Sequence, residues 1–229
     1  MRLVILSYAY RYSINAFFKR YSQAKMNLIR SVKYMRKIIV HEFISLDGVI
    51  QAPGGKKEDT DGGFTQGGWT IPYWHDDIGI HFSEVMNEAD TLLLGRKTWQ
   101  THGAAFDPMP EGNFFGDAMN KIKKVVVSTT LQSTDLWRNS TIIKDNVADE
   151  VRKLKKAAGK NILIDGSSVL IHTLIENDLI DEFHLHVYPL SLGGGKRLFP
   201  EGKRVELELV RSKTLPTGVI LQEYKFKKK

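Results

Sequence analysis

Thr91-Leu92-Leu93-Leu94 is a short apolar run that stops at Gly95 and gives way at once to Arg96-Lys97-Thr98-Trp99. An unbroken run of this length is the pattern of a strand covered on both faces, as in a parallel sheet between layers of helix. A glycine at the strand's carboxyl end permits a tight turn and close approach of a ligand. Arg96, Lys97 and Thr98 then open a helix, where free N–H groups and the positive end of the dipole attract anions. Two cations and a hydroxyl at that point suit a phosphate. On these residues alone, a plain strand–turn–helix with solvated charges is the alternative. The pattern recurs: residues 161–164 form a second buried strand, which runs through Asp165-Gly166-Ser167-Ser168 into a helix over 169–176. Two anion-ready helix starts in one sheet point to a pyrophosphate.

The remaining segments alternate in type. Residues 37–43 read as a strand ending in the turn Ser45-Leu46-Asp47-Gly48. The Gly-rich stretch 51–73 carries Gly62-Gly63-Phe64 and Gly67-Gly68-Trp69. Phe64 and Trp69 on such a loop suit a lid over a flat ligand, or else plug the edge of the core. Residues 76–88 read as a helix with Asp76 and Asp77 in its first turn. A Gly/Pro loop over 102–113 precedes a short helix over 114–122. A strand over 125–127 ends in Ser128-Thr129-Thr130, hydroxyls placed to line a crevice at the strand ends or to cap the loop. A strand over 141–143, a helix over 147–158, a strand over 180–189 and a hairpin turning at Pro216-Thr217-Gly218 complete the chain. His184 and His186 share one strand face; with no third ligand evident nearby they read as its polar side, and no metal site is expected. The order predicts a three-layer α/β fold, a mostly parallel central sheet with an antiparallel C-terminal hairpin and helices on both faces.

Composition removes several chemistries. The chain has no cysteine, so disulfides, cysteine nucleophiles and thiolate metal sites are excluded, which fits a reducing cytoplasm. The net charge of +7 is unevenly spread. Residues 1–37 hold nine Lys and Arg and no acid, leaving 24 basic and 26 acidic side chains in residues 38–229. The remainder is nearly neutral, so the charge is no argument for nucleic-acid binding. Residues 1–34 read as a basic N-terminal extension and residues 35–229 as the domain. Of three readings for the extension, a mis-assigned start with Met35 as first residue is favoured over a transit peptide or a surface-binding amphipathic segment. No apolar run in it is long enough to span a membrane. The Lys227–Lys229 tail reads as a solvated end.

Four pieces carry a family resemblance: Ser45-Leu46-Asp47-Gly48; Leu93-Leu94-Gly95-Arg96-Lys97-Thr98; Gly166-Ser167 before Leu170; and Leu179-Ile180-Asp181-Glu182 running to Pro189-Leu190-Ser191-Leu192-Gly193-Gly194-Gly195-Lys196-Arg197-Leu198-Phe199. Residues 36–226 resemble the dihydrofolate reductase-like superfamily. Within it they are most similar to the branch sharing the reductase domain of riboflavin-biosynthesis enzymes, and to its small stand-alone bacterial members. The resemblance implies NADPH as cofactor, hydride transfer, a cytoplasmic setting and a homodimer. It places cofactor phosphates at Gly95, Arg96, Lys97 and Thr98, the adenosine end at Ser128 and Thr129, the pyrophosphate at Gly166, Ser167, Ser168 and Val169, and the nicotinamide near Leu46 and Asp47. Asp47 and Asp76 are the candidate catalytic acids. Dihydrofolate reductases carry an acid on the first long helix, and Asp76 and Asp77 lie about a turn before that place; helix-start dipole acids are the alternative. The zinc deaminase partner of the riboflavin enzymes needs cysteines that this chain lacks.

The expected activity is NADPH-dependent hydride transfer to a planar heterocycle, pterin- or pyrimidine-like, such as that of a 5-amino-6-(5-phosphoribosylamino)uracil reductase. The alternatives are dihydrofolate reductase proper, or a non-catalytic NADPH-binding module. The expected partner is a small molecule, with no nucleic acid and no membrane.

Overall fold

A computed structural model describes residues 35–227. The basic extension 1–34 and the end of the lysine tail lie outside the described residues. In chain order the elements are β1 (Ile38–Ser45), α1 (Asp76–Asn87), β2 (Ala89–Gly95), α2 (Arg96–Phe106), α3 (Phe114–Lys121), β3 (Lys123–Val127), β4 (Ser140–Ile143), α4 (Val147–Lys156), β5 (Asn161–Asp165), α5 (Ser168–Glu176), β6 (Glu182–Tyr188), β7 (Leu207–Thr214) and β8 (Ile220–Phe226). They form one eight-stranded sheet ordered β4-β3-β2-β5-β1-β6-β8-β7. The first six neighbours pair in parallel, and β8 and β7 add antiparallel at one edge.

The apolar strands explain the layering. Alternate residues of β1 point to opposite faces. Ile38, Val40 and Ile44 pack with Leu170, Ile171 and Leu174 of α5 and Val151 of α4. Ile39 packs on the other side with Val85 and Met86 of α1, Trp99 of α2 and Met119 of α3. Leu92, Leu93 and Leu94 of β2 are wholly buried, as a strand covered on both faces requires. Buried Arg36 ties the start of the domain to the sheet, donating to the Lys160 carbonyl at 2.6 Å and to Thr91 at 2.7 Å and pairing with Asp90. Among the described residues no helix is long and apolar enough to cross a membrane.

Two local expectations are corrected. The loop expected from residue 102 begins only after Phe106, because Gly103 lets α2 run on against Trp137. His184 and His186 do not form a polar strand face. They are 8 % and 0 % exposed, covered by α1.

Candidate active site

The helices after β2 and β5 lie on opposite faces of the sheet, since Trp99 of α2 and Leu170 of α5 belong to different cores. The carboxyl ends of these neighbouring strands therefore flank a crevice, the place where open α/β sheets take ligands. A cavity of about 730 Å³ opens there. Gly95–Thr98 and Gly166–Val169 line one side of it, while Phe43, Trp74, Ile78, Phe82, Phe106 and Phe115 supply apolar and aromatic wall.

The two helix starts are built as one unit. Ser167 Oγ accepts from the Gly95 N–H at 2.7 Å and donates to Thr98 Oγ1 at 2.8 Å. Gly166 has φ +83°, and a Cβ there would stand 2.7 Å from Thr98 Cγ2. This position therefore demands glycine twice over, by backbone conformation and by space. Neither α2 nor α5 is capped by a side chain at its N-terminus. Their first N–H groups remain available to a ligand. The neighbouring cations are engaged: Lys97 pairs with Asp61, Lys196 with Asp59 and Asp61, and Arg96 donates to Gln100 at 2.9 Å. The lysines hold Asp61 ionised, with a pKa near 2, Lys196 contributing most.

Carboxyl groups gather at the floor. Glu42, on β1, is 3 % exposed and lines the cavity. Its Oε1 accepts the Gly166 N–H at 2.7 Å. Burial, and then the charge of neighbouring Asp165, push its pKa well above the usual carboxylate value despite that hydrogen bond. Asp165 goes the opposite way. Burial opposes its ionisation, but His102 Nε2 at 3.2 Å and His41 Nδ1 at 3.7 Å hold it well below the usual range. The two neighbouring acids are thus pushed in opposite directions, a division that proton-transfer sites use. Glu58 also lines the cavity, accepting from the N–H groups of Gly54 and Gly55 at 2.6 and 3.0 Å, its pKa raised chiefly by burial.

Other residues singled out in the sequence lie elsewhere. Phe64 and Trp69 do not cover the cavity. They are 8 % and 7 % exposed, and Trp69 donates to the Gln51 carbonyl at 2.8 Å and packs edge-on to Tyr188. The loop is drawn inward because Gly67 lies directly against the Gly55–Lys56 backbone, an approach no side chain would permit. Its contribution to the cavity is Gln51–Gly54, Glu58 and Asp59 instead. Asp47 is outside the lining. Its carboxylate accepts from Ser45 at 2.6 Å and from the N–H groups of Leu192 and Gly193 at 3.0 and 2.8 Å. These contacts outweigh desolvation and hold its pKa near 2, so it fixes a turn. Leu46 is 68 % exposed, and Asp76 is exposed on α1 away from the cavity. Ser128 is taken up in its own loop, accepting from Thr130 and Leu131 N–H at 3.2 and 3.0 Å, and neither it nor Thr129 lines the cavity. The part of α1 that does reach the cavity is Ile78, Gly79 and Phe82, without an acid.

Comparisons with known proteins agree with this architecture. The family model of the RibD C-terminal domain matches residues 36–221. The uncharacterized protein YyaP of Bacillus subtilis (strain 168) is 36 % identical over 190 residues, spanning 81 % of this chain and 92 % of that protein. A putative riboflavin biosynthesis protein from Shewanella sp. PV-4 superposes with a TM-score of 0.60 at 22 % identity, covering 84 % of this chain and 99 % of its own. Dihydrofolate reductase from Enterococcus faecalis, solved with NADP(H), gives 0.51 at 17 % identity over 84 % and 96 % of the two chains. The two solved structures show a shared fold.

Proposed function

The chain belongs to the RibD C-terminal domain family, and on that premise we propose that it is an NADPH-dependent reductase acting on a planar heterocycle, pterin- or pyrimidine-like. The observation that carries this is the cavity itself. Two uncapped helix starts meet at one side of an aromatic-lined space, with a buried carboxyl of raised pKa at its floor. The residues fit a dinucleotide. N–H groups of α2 and α5 take the phosphates, with Lys97 and Arg96 beside them and Gly166 leaving the space a side chain would fill. When bound, NADPH supplies the hydride.

The protein's own part is position and protons. The aromatic wall holds a flat ring and excludes water. Glu42, protonated, is the proton source facing that space, and Asp165, steadied by His102 and His41, keeps the Glu42 proton in place by its charge. The absence of an acid on the cavity face of α1 separates this site from the expected dihydrofolate reductase pattern. The proposal includes a cytoplasmic homodimer. β7 lies at the outer edge of the sheet with Leu209 and Val210 about half exposed, suited to pairing across a two-fold axis.

The test is NADPH oxidation by the purified protein against dihydrofolate, oxidised pterins and ribosylated aminopyrimidines. Turnover of a pterin or pyrimidine is expected. Tight NADPH binding with no oxidation across the panel would replace the enzyme with a nucleotide-binding module.

A further inference from the structure

α1 packs across β1, β6 and β8, and strand alternation turns one set of polar side chains beneath it. β1 contributes His41, β6 His184 and His186, β8 Glu223, and α1 itself His81. All four imidazoles are 8 % exposed or less. His81 is central: its Nδ1 lies 2.7 Å from His186 Nε2, its Nε2 lies 3.3 Å from Glu223 Oε1, and its ring stacks on that of His184 at 5.6 Å. Both ring nitrogens of His41, and Nδ1 of His184 and of His186, are buried without a hydrogen-bond partner. Buried polar groups are ordinarily paired, and apolar side chains would fill this space without the penalty.

We propose that His81, His184 and Glu223 form a site for a divalent transition-metal ion of the zinc class. Two imidazoles and a carboxylate are a donor set such ions take. The three ligand atoms lie within 4.8 Å of one another. The 3.3 Å between His81 and Glu223 is already close to the spacing of two donors each about 2.0–2.2 Å from one tetrahedral ion. Each histidine has a further polar neighbour behind it: His81 Nδ1 lies 2.7 Å from His186 Nε2, and His184 Nε2 lies 3.3 Å from Glu182 Oε2. On binding, His81 Nε2 exchanges its contact with Glu223 for the ion as an unprotonated donor, and His184 supplies one ring nitrogen. A cavity of about 300 Å³, bordered by exposed Glu84 and Arg211, reaches these ligands and leaves room for water at a further position. His41, His81 and His186 form an alternative triad. There His81 Nδ1 and His186 Nε2, 2.7 Å apart, would have to separate before both could bind one ion, which favours the outer set. Arg211 donates to Glu223 Oε1 at 3.0 and 2.5 Å and competes with the ion as a cation.

The test is titration of the untagged full chain, first stripped with chelator, with Co²⁺ and then with Zn²⁺ in competition. Residues 1–34 contain no His, Cys, Asp or Glu, so they add no competing donors. One equivalent of Co²⁺ is expected to give the intense visible bands of a four-coordinate ion, and Zn²⁺ to displace it and raise the melting temperature. Glu223→Gln and His184→Ala are expected to weaken Co²⁺ at least tenfold, Arg211→Gln to strengthen it, and His41→Phe to leave it unchanged. Absence of saturable Co²⁺ bands in the wild-type protein overturns the proposal. So does binding that survives Glu223→Gln but is lost in His41→Phe, which would move the ion to the inner triad. Glu223→Gln is a near-isosteric change, so the result does not hinge on a variant that fails to fold.

Discussion

Burial, and then the charge of Asp165, raise the Glu42 pKa well above the usual carboxylate value. Glu42 accepts the Gly166 N–H and lines the cavity, the placement on which its proposed role as proton donor rests. Glu42→Gln keeps the size and the acceptor for Gly166. It is expected to lower turnover at least about 100-fold, the ordinary worth of a general acid, with NADPH affinity unchanged. Wild-type turnover is expected to fall as pH rises through the raised Glu42 pKa. The same shift affects stability. An acid whose folded pKa is raised binds its proton more tightly in the native state, so the stabilisation is complete below the unfolded value near 4.5 and is lost as pH rises through the folded one. Thermal melts of Glu42→Gln should therefore lose less stability towards alkaline pH than those of the wild type. Equal turnover in the two proteins would remove Glu42 from the chemistry. Nothing in the local sequence marks this residue. Glu42 sits inside an apolar strand, and its raised pKa comes from burial by the folded chain and then from Asp165, 123 positions away along the chain.

The helix starts of α2 and α5 show what local pattern does reveal. Runs such as Leu92–Leu94 followed by glycine fix a buried strand, its end and the next helix within a few residues, because each signal acts over a single turn. Both starts fall where the residues place them. The link between them is not local: Ser167 reaches across to Gly95 and Thr98. Gly166→Ala combines a left-handed backbone position with a clash on Thr98, and is expected to destabilise the protein by more than about 2 kcal/mol. Ser167→Ala removes the bridge and should cost about 1–3 kcal/mol. Chemical denaturation measures both, and a neutral Gly166→Ala would show that the two starts are not packed as described. The aromatics of the long loop were open between lid and plug for the same reason in reverse. Phe64 and Trp69 are placed in a cluster with Tyr188, far along the chain, and the residues that face the cavity, Trp74 and Phe82, carry no distinguishing motif.

Across the molecule, the sheet separates its two polar clusters by face and end. The carboxyl ends of β2, β5 and β1 meet in the large cavity, while the α1-covered face of β1, β6 and β8 carries the histidines. His41 joins the two regions, 3.7 Å from Asp165 and with its ring 4.8 Å from that of His186. The fold class was legible because alternating strands and helices with a closing hairpin leave few topologies. The histidine cluster was not, because His41, His81, His184 and His186 come from three separate elements. The proposed function stands or falls on whether the crevice between β2 and β5 holds a dinucleotide. The direct measurement is titration with NADPH, following quenching of tryptophan fluorescence through Trp74 at the cavity wall, with NADH and FMN as controls. Saturable binding that prefers NADPH and weakens by about 1–3 kcal/mol in Lys97→Ala is the predicted result. An NADPH titration without saturation would contradict the account and leave the two glycine-led helix starts as structural joints.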